Sequence, residues 1–127
     1  MAISETTKQF TSQEKSRLRS EKKRLQDEKD GHQKSIDGIN AEIAVVQIQI
    51  DALTVDMNDG TIGQISKNFL KSAKNRLQAQ KKHLQAQKDE HQAEIAVVNA
   101  KISGLNTQID ALTNDIPEPT PVEIVTP

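Results

Sequence analysis

The chain is poor in the residues that build large globular cores. Its 127 residues include no Cys, no Trp, no Tyr and only two Phe. Without Cys there can be no disulfide, no thiolate nucleophile and no Cys-ligated metal. Hydrophobic residues make up 34% of the chain, against about 45–50% in ordinary globular domains. We therefore expect neither an enzyme with an enclosed pocket nor a bound cofactor.

Proline and long apolar runs are also scarce. All four Pro residues lie within the last segment, 117–127, so the rest of the chain has no helix-breaking proline. No apolar run approaches the roughly 20 residues of a membrane span. The N-terminal sequence MAISETTKQF lacks the apolar core of a signal peptide. We expect synthesis in the cytoplasm and no membrane partner; the final location is left open.

The chain contains a tandem repeat. Shifting the sequence by 59 residues aligns 1–59 with 60–118 without a gap and gives 25 identities. The segment QIDALT at 49–54, for example, recurs at 108–113. This number of identities exceeds what shared composition would produce and indicates duplication of one helical unit.

Each repeat carries a heptad pattern. Apolar residues recur every seven positions in two series offset by three, as in the a and d positions of a coiled coil. We call this set the seam: Leu18, Leu25, Ile36, Ile39, Ile43, Val46, Ile50, Leu53, Leu77, Leu84, Ile95, Val98, Ile102, Leu105, Ile109 and Leu112. In the first half of each repeat Lys replaces the apolar residue at a: Lys15, Lys22, Lys29, Lys74, Lys81 and Lys88. Each helix therefore has a Lys-interrupted half and an Ile, Leu and Val-rich half.

Turn and capping signals predict where the two helices begin and end. The first repeat, 1–59, is predicted to form a helix over about 4–58, beginning either at Ser4 or at Thr11. Asn58-Asp59-Gly60 is a turn signal, and Thr61 with Gln64 fits a capping box. The second repeat is therefore predicted to be helical over about 61–116, before the extended Pro-rich tail 117–127.

The charge pattern predicts that the two helices pair antiparallel. Residues 35–59 carry five acidic and no basic residues, whereas residues 67–88 carry seven basic and no acidic residues. A short turn near residue 60 places these blocks side by side, and a parallel pairing would place like charges together. The predicted fold is an all-α, long antiparallel coiled-coil hairpin. Its uncovered apolar surface is expected to meet a second hairpin or a larger partner.

Two histidines occupy equivalent positions of the repeats. His32 and His91 take the place of apolar residues at d and are expected to face each other in the hairpin. One interpretation is a metal site or a pH-sensitive layer, since two protonated imidazoles repel. The sequence favours a polar layer that fixes the helix register. No carboxylate is found at ligand spacing in both repeats, and we expect no metal.

The basic residues allow two interpretations. The Lys residues at a could extend past the seam toward acidic groups of the facing helix. Alternatively they could bind a polyanion together with a second set of cations: Arg17, Arg19, Lys23, Arg24, Arg76 and Lys82. Nucleic acid binding is disfavoured because no aromatic residues interleave with the basic ones for base stacking.

The tail is expected either to be disordered or to dock on another protein. Alternating prolines, including Pro119 and Pro121, predict an extended segment. The following Val122, Ile124 and Val125 belong to a short alternating pattern that could add a strand to a partner's sheet. We favour the docking interpretation.

These features predict a non-enzymatic structural or assembly protein that self-associates or packs on a larger complex. The chain is short, Cys-free and duplicated, and it ends in an extended peptide. In these respects it resembles small coiled-coil accessory proteins of tailed-phage virions, which implies protein partners within a virion or similar assembly. The alternatives are a polyanion-binding helical protein and an adaptor or chaperone that holds a client on its apolar seam.

Overall fold

The computed structural model describes residues 4–115, and this part of the chain is a helical hairpin. Helix α1 spans Glu5–Met57 and helix α2 spans Gln64–Asp115. The predicted all-helical class and the hairpin arrangement are therefore confirmed. Within residues 4–115 there is no strand.

Helix α1 begins at the first of the two predicted starts. The hydroxyl of Ser4 accepts a hydrogen bond from the backbone N–H of Thr7 at 3.2 Å, which is the geometry of an N-cap. The first helical bond runs from Lys8 N–H to the carbonyl of Ser4. Thr11 lies inside the helix, and its hydroxyl donates to the carbonyl of Thr7. Because Ser4 caps α1, Thr11 is not its N-cap.

Helix α2 begins three residues later than its predicted start at Thr61. Asp59 Oδ1 accepts hydrogen bonds from the backbone N–H and the hydroxyl of Thr61, at 2.9 and 2.8 Å. These bonds hold Thr61 in the turn, and the first helical bond of α2 runs from Lys67 N–H to Gly63. The hydrogen bond from the backbone N–H of Thr61 contributes most to lowering the pKa of Asp59, and the bond from the Thr61 hydroxyl contributes next.

The hairpin divides into two compact units that each draw on both helices. The first, here called the turn unit, comprises residues 30–96. Its helices run antiparallel, since Gln47 contacts Lys81 while the earlier His32 contacts the later His91. Its core is a cluster of buried and partly buried apolar side chains: Val46, Ile50, Leu84, Ile39, Ile43 and Leu77.

The second unit, here called the terminal unit, is described over residues 4–29 and 97–115. Leu18, Leu25 and Val98 are its buried apolar residues. Each compact unit contains part of both predicted repeats, because α1 lies in the first repeat and α2 in the second.

None of the helices described over residues 4–115 contains an apolar stretch long enough to cross a membrane.

Candidate functional site

The seam residues predicted from the heptad pattern are all buried or half-buried. The buried ones are Leu18, Leu25, Ile36, Val46, Ile50, Leu84 and Val98. The half-buried ones are Ile39, Ile43, Leu53, Leu77, Ile95, Ile102, Leu105, Ile109 and Leu112. Burial of these side chains removes apolar surface from water and supplies the main attraction between α1 and α2.

The Lys residues at seam positions are also covered by the hairpin. Lys15 is 0% exposed, and Lys22, Lys29, Lys74, Lys81 and Lys88 are half-buried. The ammonium of Lys81 donates to the side-chain carbonyl of Gln47 on the facing helix at 2.6 Å. The sequence predicts that the Lys ammonium groups extend toward acidic groups of the facing helix. At Lys81 the acceptor is instead the neutral amide of Gln47, which lies one position beyond the seam.

The two histidines, His32 and His91, come together in the turn unit. His32 Nδ1 and His91 Nδ1 are 2.8 Å apart, and the ring centroids are separated by 5.1 Å. On the other side of the His32 ring, Nε2 lies 2.8 Å from Oε2 of Glu94. We call His32, His91 and Glu94 the His–Glu cluster.

Hydrogen bonding assigns a consistent tautomer to each ring. When His32 is neutral, Nε2 carries the proton and donates to the carboxylate of Glu94. Nδ1 of His32 is then an acceptor, and Nδ1–H of His91 donates to it. With these tautomers each hydrogen bond of the cluster has one donor and one acceptor.

Sequence reasoning missed Glu94 because it compared only equivalent positions of the two repeats. The first repeat has Ser35 at the corresponding position, and its hydroxyl donates to the carbonyl of Gly31 instead. The signal that could have found Glu94 is its spacing of three residues from His91, which places both on one face of a helix.

A second apolar strip runs along α1 in the turn unit, outside the seam. Val45, Ile48 and Val55 are exposed, and Ala41 and Ala52 extend the strip at spacings of three and four residues. We call these five residues the outer stripe. On α2 of the same unit two further large apolar side chains, Ile65 and Phe69, are exposed.

The outer stripe borders two open grooves between α1 and α2 of the turn unit. One is lined by Gln49, Ala52, Leu53, Ala73, Arg76 and Leu77. The other is lined by Ala41, Glu42, Val45, Val46, Gln49 and Gln80. Gln49 belongs to both, so the grooves adjoin on one face. They are open to solvent and suit an elongated partner better than a small substrate, which binds best where water is excluded.

Two of the cations proposed to bind a polyanion, Arg17 and Arg24, are paired within α1. The guanidinium of Arg17 donates to the carboxylate of Glu14, and that of Arg24 to the carboxylate of Glu21. These hydrogen bonds lower the pKa of both glutamates. The pairs are exposed and add little stability, but they partly neutralise the positive charge of this segment.

The predicted docking tail lies outside the described residues. The structure describes none of its five named residues, which are Pro119, Pro121, Val122, Ile124 and Val125. Docking through the tail stays a prediction from the sequence.

Comparisons of the chain with protein-family models, curated proteins and solved structures give no significant match.

Proposed function

We propose that the chain is a non-enzymatic structural protein whose helical hairpin assembles with a second copy of itself. The observation that carries the proposal is the outer stripe, which stays exposed although the seam of α1 is already covered by α2. Two helices alone bury little apolar surface, and packing of a further helical layer adds the missing burial. The heptad pattern makes this a coiled-coil assembly.

Charge argues for a second copy as the occupant of this surface. The outer stripe lies within the acidic block 35–59, which has no basic residue. Pairing α1 with α1 of another copy would therefore place like charges together. The basic block 67–88 of α2 is the complementary surface, and every copy carries one.

A two-fold axis parallel to the helices satisfies both copies at once. In this arrangement α1 of each turn unit lies antiparallel to α2 of the other, and both turns lie at the same end. Val55, near the turn, then approaches the start of α2 that exposes Ile65 and Phe69, and Ile48 and Val45 lie beside the basic block 67–88. The contact is isologous and closed, so it ends at a dimer.

We further propose that this dimer serves a larger assembly. The predicted docking tail would provide the attachment, and the resemblance to virion accessory proteins suggests the kind of assembly. Truncation after residue 116 should abolish recruitment to the host complex while leaving the dimer unchanged. Unchanged recruitment would reject the tail as the attachment.

Light scattering on the full-length chain tests the dimer. We expect twice the chain mass for the native protein and a shift to monomer for Ile48→Lys, which places a positive charge in the outer stripe, opposite the basic block 67–88 of the second copy. Ser20→Lys is the matched control, because Ser20 occupies the same heptad position of α1 but lies in the terminal unit. A native monomer, or equal dissociation by both variants, would reject the proposal.

The polyanion-binding alternative makes a different prediction. Binding through the 67–88 block would weaken steeply with salt, because each cation–phosphate contact releases counterions. Filter binding with duplex DNA at low and high salt measures this. Tight, salt-sensitive binding by the native chain would favour the alternative, and its absence would favour the assembly function.

A further inference from the structure

We infer that the His–Glu cluster is a binding site for a divalent transition-metal ion of the Zn²⁺ class. Its three members come from both helices: His32 from α1, and His91 and Glu94 from α2. One ligand atom from each lies within 4.8 Å of the other two. The inference concerns the interior of a single turn unit and does not depend on the proposed dimer.

The donor set decides the class of ion. Two imidazole nitrogens and one carboxylate oxygen are the ligands of many three-ligand zinc sites, which leave a fourth position for water. Imidazole suits Zn²⁺, Co²⁺, Ni²⁺ and Cu²⁺, whereas Mg²⁺ and Ca²⁺ prefer all-oxygen sites. The cluster should therefore bind the transition-metal ions more tightly than Mg²⁺ or Ca²⁺.

Binding an ion requires side-chain adjustment and a change of tautomer, because the proton of His32 has to move from Nε2 to Nδ1 before Nε2 can bind the metal. Ligand atoms of a tetrahedral zinc ion lie about 3.4 Å apart, as follows from metal–ligand bonds of about 2.0–2.1 Å. His32 Nε2 and Glu94 Oε2 are 2.8 Å apart, so they would separate slightly to admit an ion. His91 would exchange its hydrogen bond with His32 for a metal bond. His91 and Glu94 are three residues apart on α2, which lets both bind one ion from the same helix face.

The cluster is accessible from solvent on one side. The His32 side chain is 18% exposed and the Glu94 side chain is 58% exposed. An ion can therefore enter past Glu94 without opening the hairpin. The enclosed imidazole of His32 would hold it against the seam, and the bound ion would link α1 to α2.

Calorimetric titration of the full-length, tag-free chain with Zn²⁺ tests the site, with Mg²⁺ as the negative probe. We expect one Zn²⁺ per chain, and a rise in melting temperature because the ion binds only the folded arrangement. Co²⁺ should give the visible absorption of a low-symmetry site. Glu94→Gln should weaken Zn²⁺ binding at least tenfold, since loss even of groups that only orient ligands costs about 10–100-fold.

Two matched controls separate the cluster from general surface binding. His83 is an exposed histidine outside the cluster, and Glu90 is an exposed glutamate on the preceding turn of α2. His83→Ala and Glu90→Gln should bind Zn²⁺ as the native chain does, whereas His91→Ala should not. Circular dichroism verifies that each variant is helical. Glu94→Gln provides an independent test if His91→Ala unfolds.

Two results would overturn the inference. The first is native binding weaker than about 0.1 mM, which would mean that the hydrogen-bonded cluster prevails over the metal-bound one. The second is an equal loss of affinity in His83→Ala and Glu94→Gln.

Discussion

The turn unit and the terminal unit are built from the same heptad pattern but differ in what they leave exposed. In each unit one helix contributes Ile, Leu and Val to the seam while the other contributes Lys at the a positions. The turn unit exposes Val45, Ile48 and Val55 on α1. Large exposed side chains of the terminal unit are Phe10 and Val97, one on each helix. The seam, which both units share, explains why the two helices pair. The exposed apolar side chains, which differ between the units, are the basis of the proposed assembly.

The largest effect is expected from the core of the turn unit. Leu84 is 6% exposed and belongs to the cluster with Val46 and Ile50. Leu84→Ala should lower the free energy of unfolding by about 3 kcal/mol, through lost burial and a residual cavity. Denaturant unfolding followed by circular dichroism measures this.

Leu25→Ala is the matched substitution in the terminal unit, because Leu25 is the repeat equivalent of Leu84 and is 2% exposed. We expect a similar loss of about 2–4 kcal/mol, since burial rather than unit membership determines the cost. A loss below about 1 kcal/mol in either variant would show that the corresponding seam is not packed as described.

A second pair of variants tests the difference between the surfaces. Phe10 and Phe69 are repeat equivalents with similar exposure, 67% and 72%. Phe69→Ser should raise the dimer dissociation constant about tenfold, which corresponds to loss of about 1.4 kcal/mol of apolar contact. Phe10→Ser should leave it unchanged. Sedimentation velocity over a concentration series measures both, and a reversed order would place the interface in the terminal unit.

A smaller effect is expected where the seam is polar. Gln47 accepts from the half-buried ammonium of Lys81, so Gln47→Ala should cost about 1–2 kcal/mol of stability. Gln33→Ala is the control, because Gln33 is exposed at the same heptad position of α1 and donates to Asp37 as Gln47 does to Asp51. Equal melting temperatures for the two variants would show that the Lys81 contact contributes nothing.

The smallest effect is expected at the turn and depends on pH. The Thr61 N–H and hydroxyl lower the pKa of Asp59 in the folded chain. A lowered folded pKa means that Asp59 stabilises the fold above its unfolded pKa, and that this contribution is lost as pH falls through the lowered value. The melting temperatures of native chain and Asp59→Ala should therefore differ at neutral pH and converge in strong acid. A difference in melting temperature that does not change with pH would contradict this role of Asp59.

The heptad periodicity and the order of the charged blocks were sufficient to predict the helical hairpin, because both are read directly from the order of the residues. The start of α2 was harder to place, since Thr61 can cap a helix or bond to Asp59, and only the turn geometry decides between them. Glu94 was missed because Ser35 breaks the symmetry of the repeats. The outer stripe was not predicted because it lies outside the two apolar series that define the seam, although Ile48 and Val55 also recur at seven residues. The tail lies outside the described residues, where its docking stays a prediction.

The most direct test of the central claim uses the absence of Cys from the chain. A single Cys introduced by Asn58→Cys carries one spin label at each turn, and electron–electron dipolar spectroscopy measures the distance between labels of two copies. Proposed dimers with both turns at one end should give a distance of about 20–35 Å, the width of a helical bundle plus two label linkers. The absence of any distance below about 60 Å, as expected for monomers or for turns at opposite ends, would contradict the account.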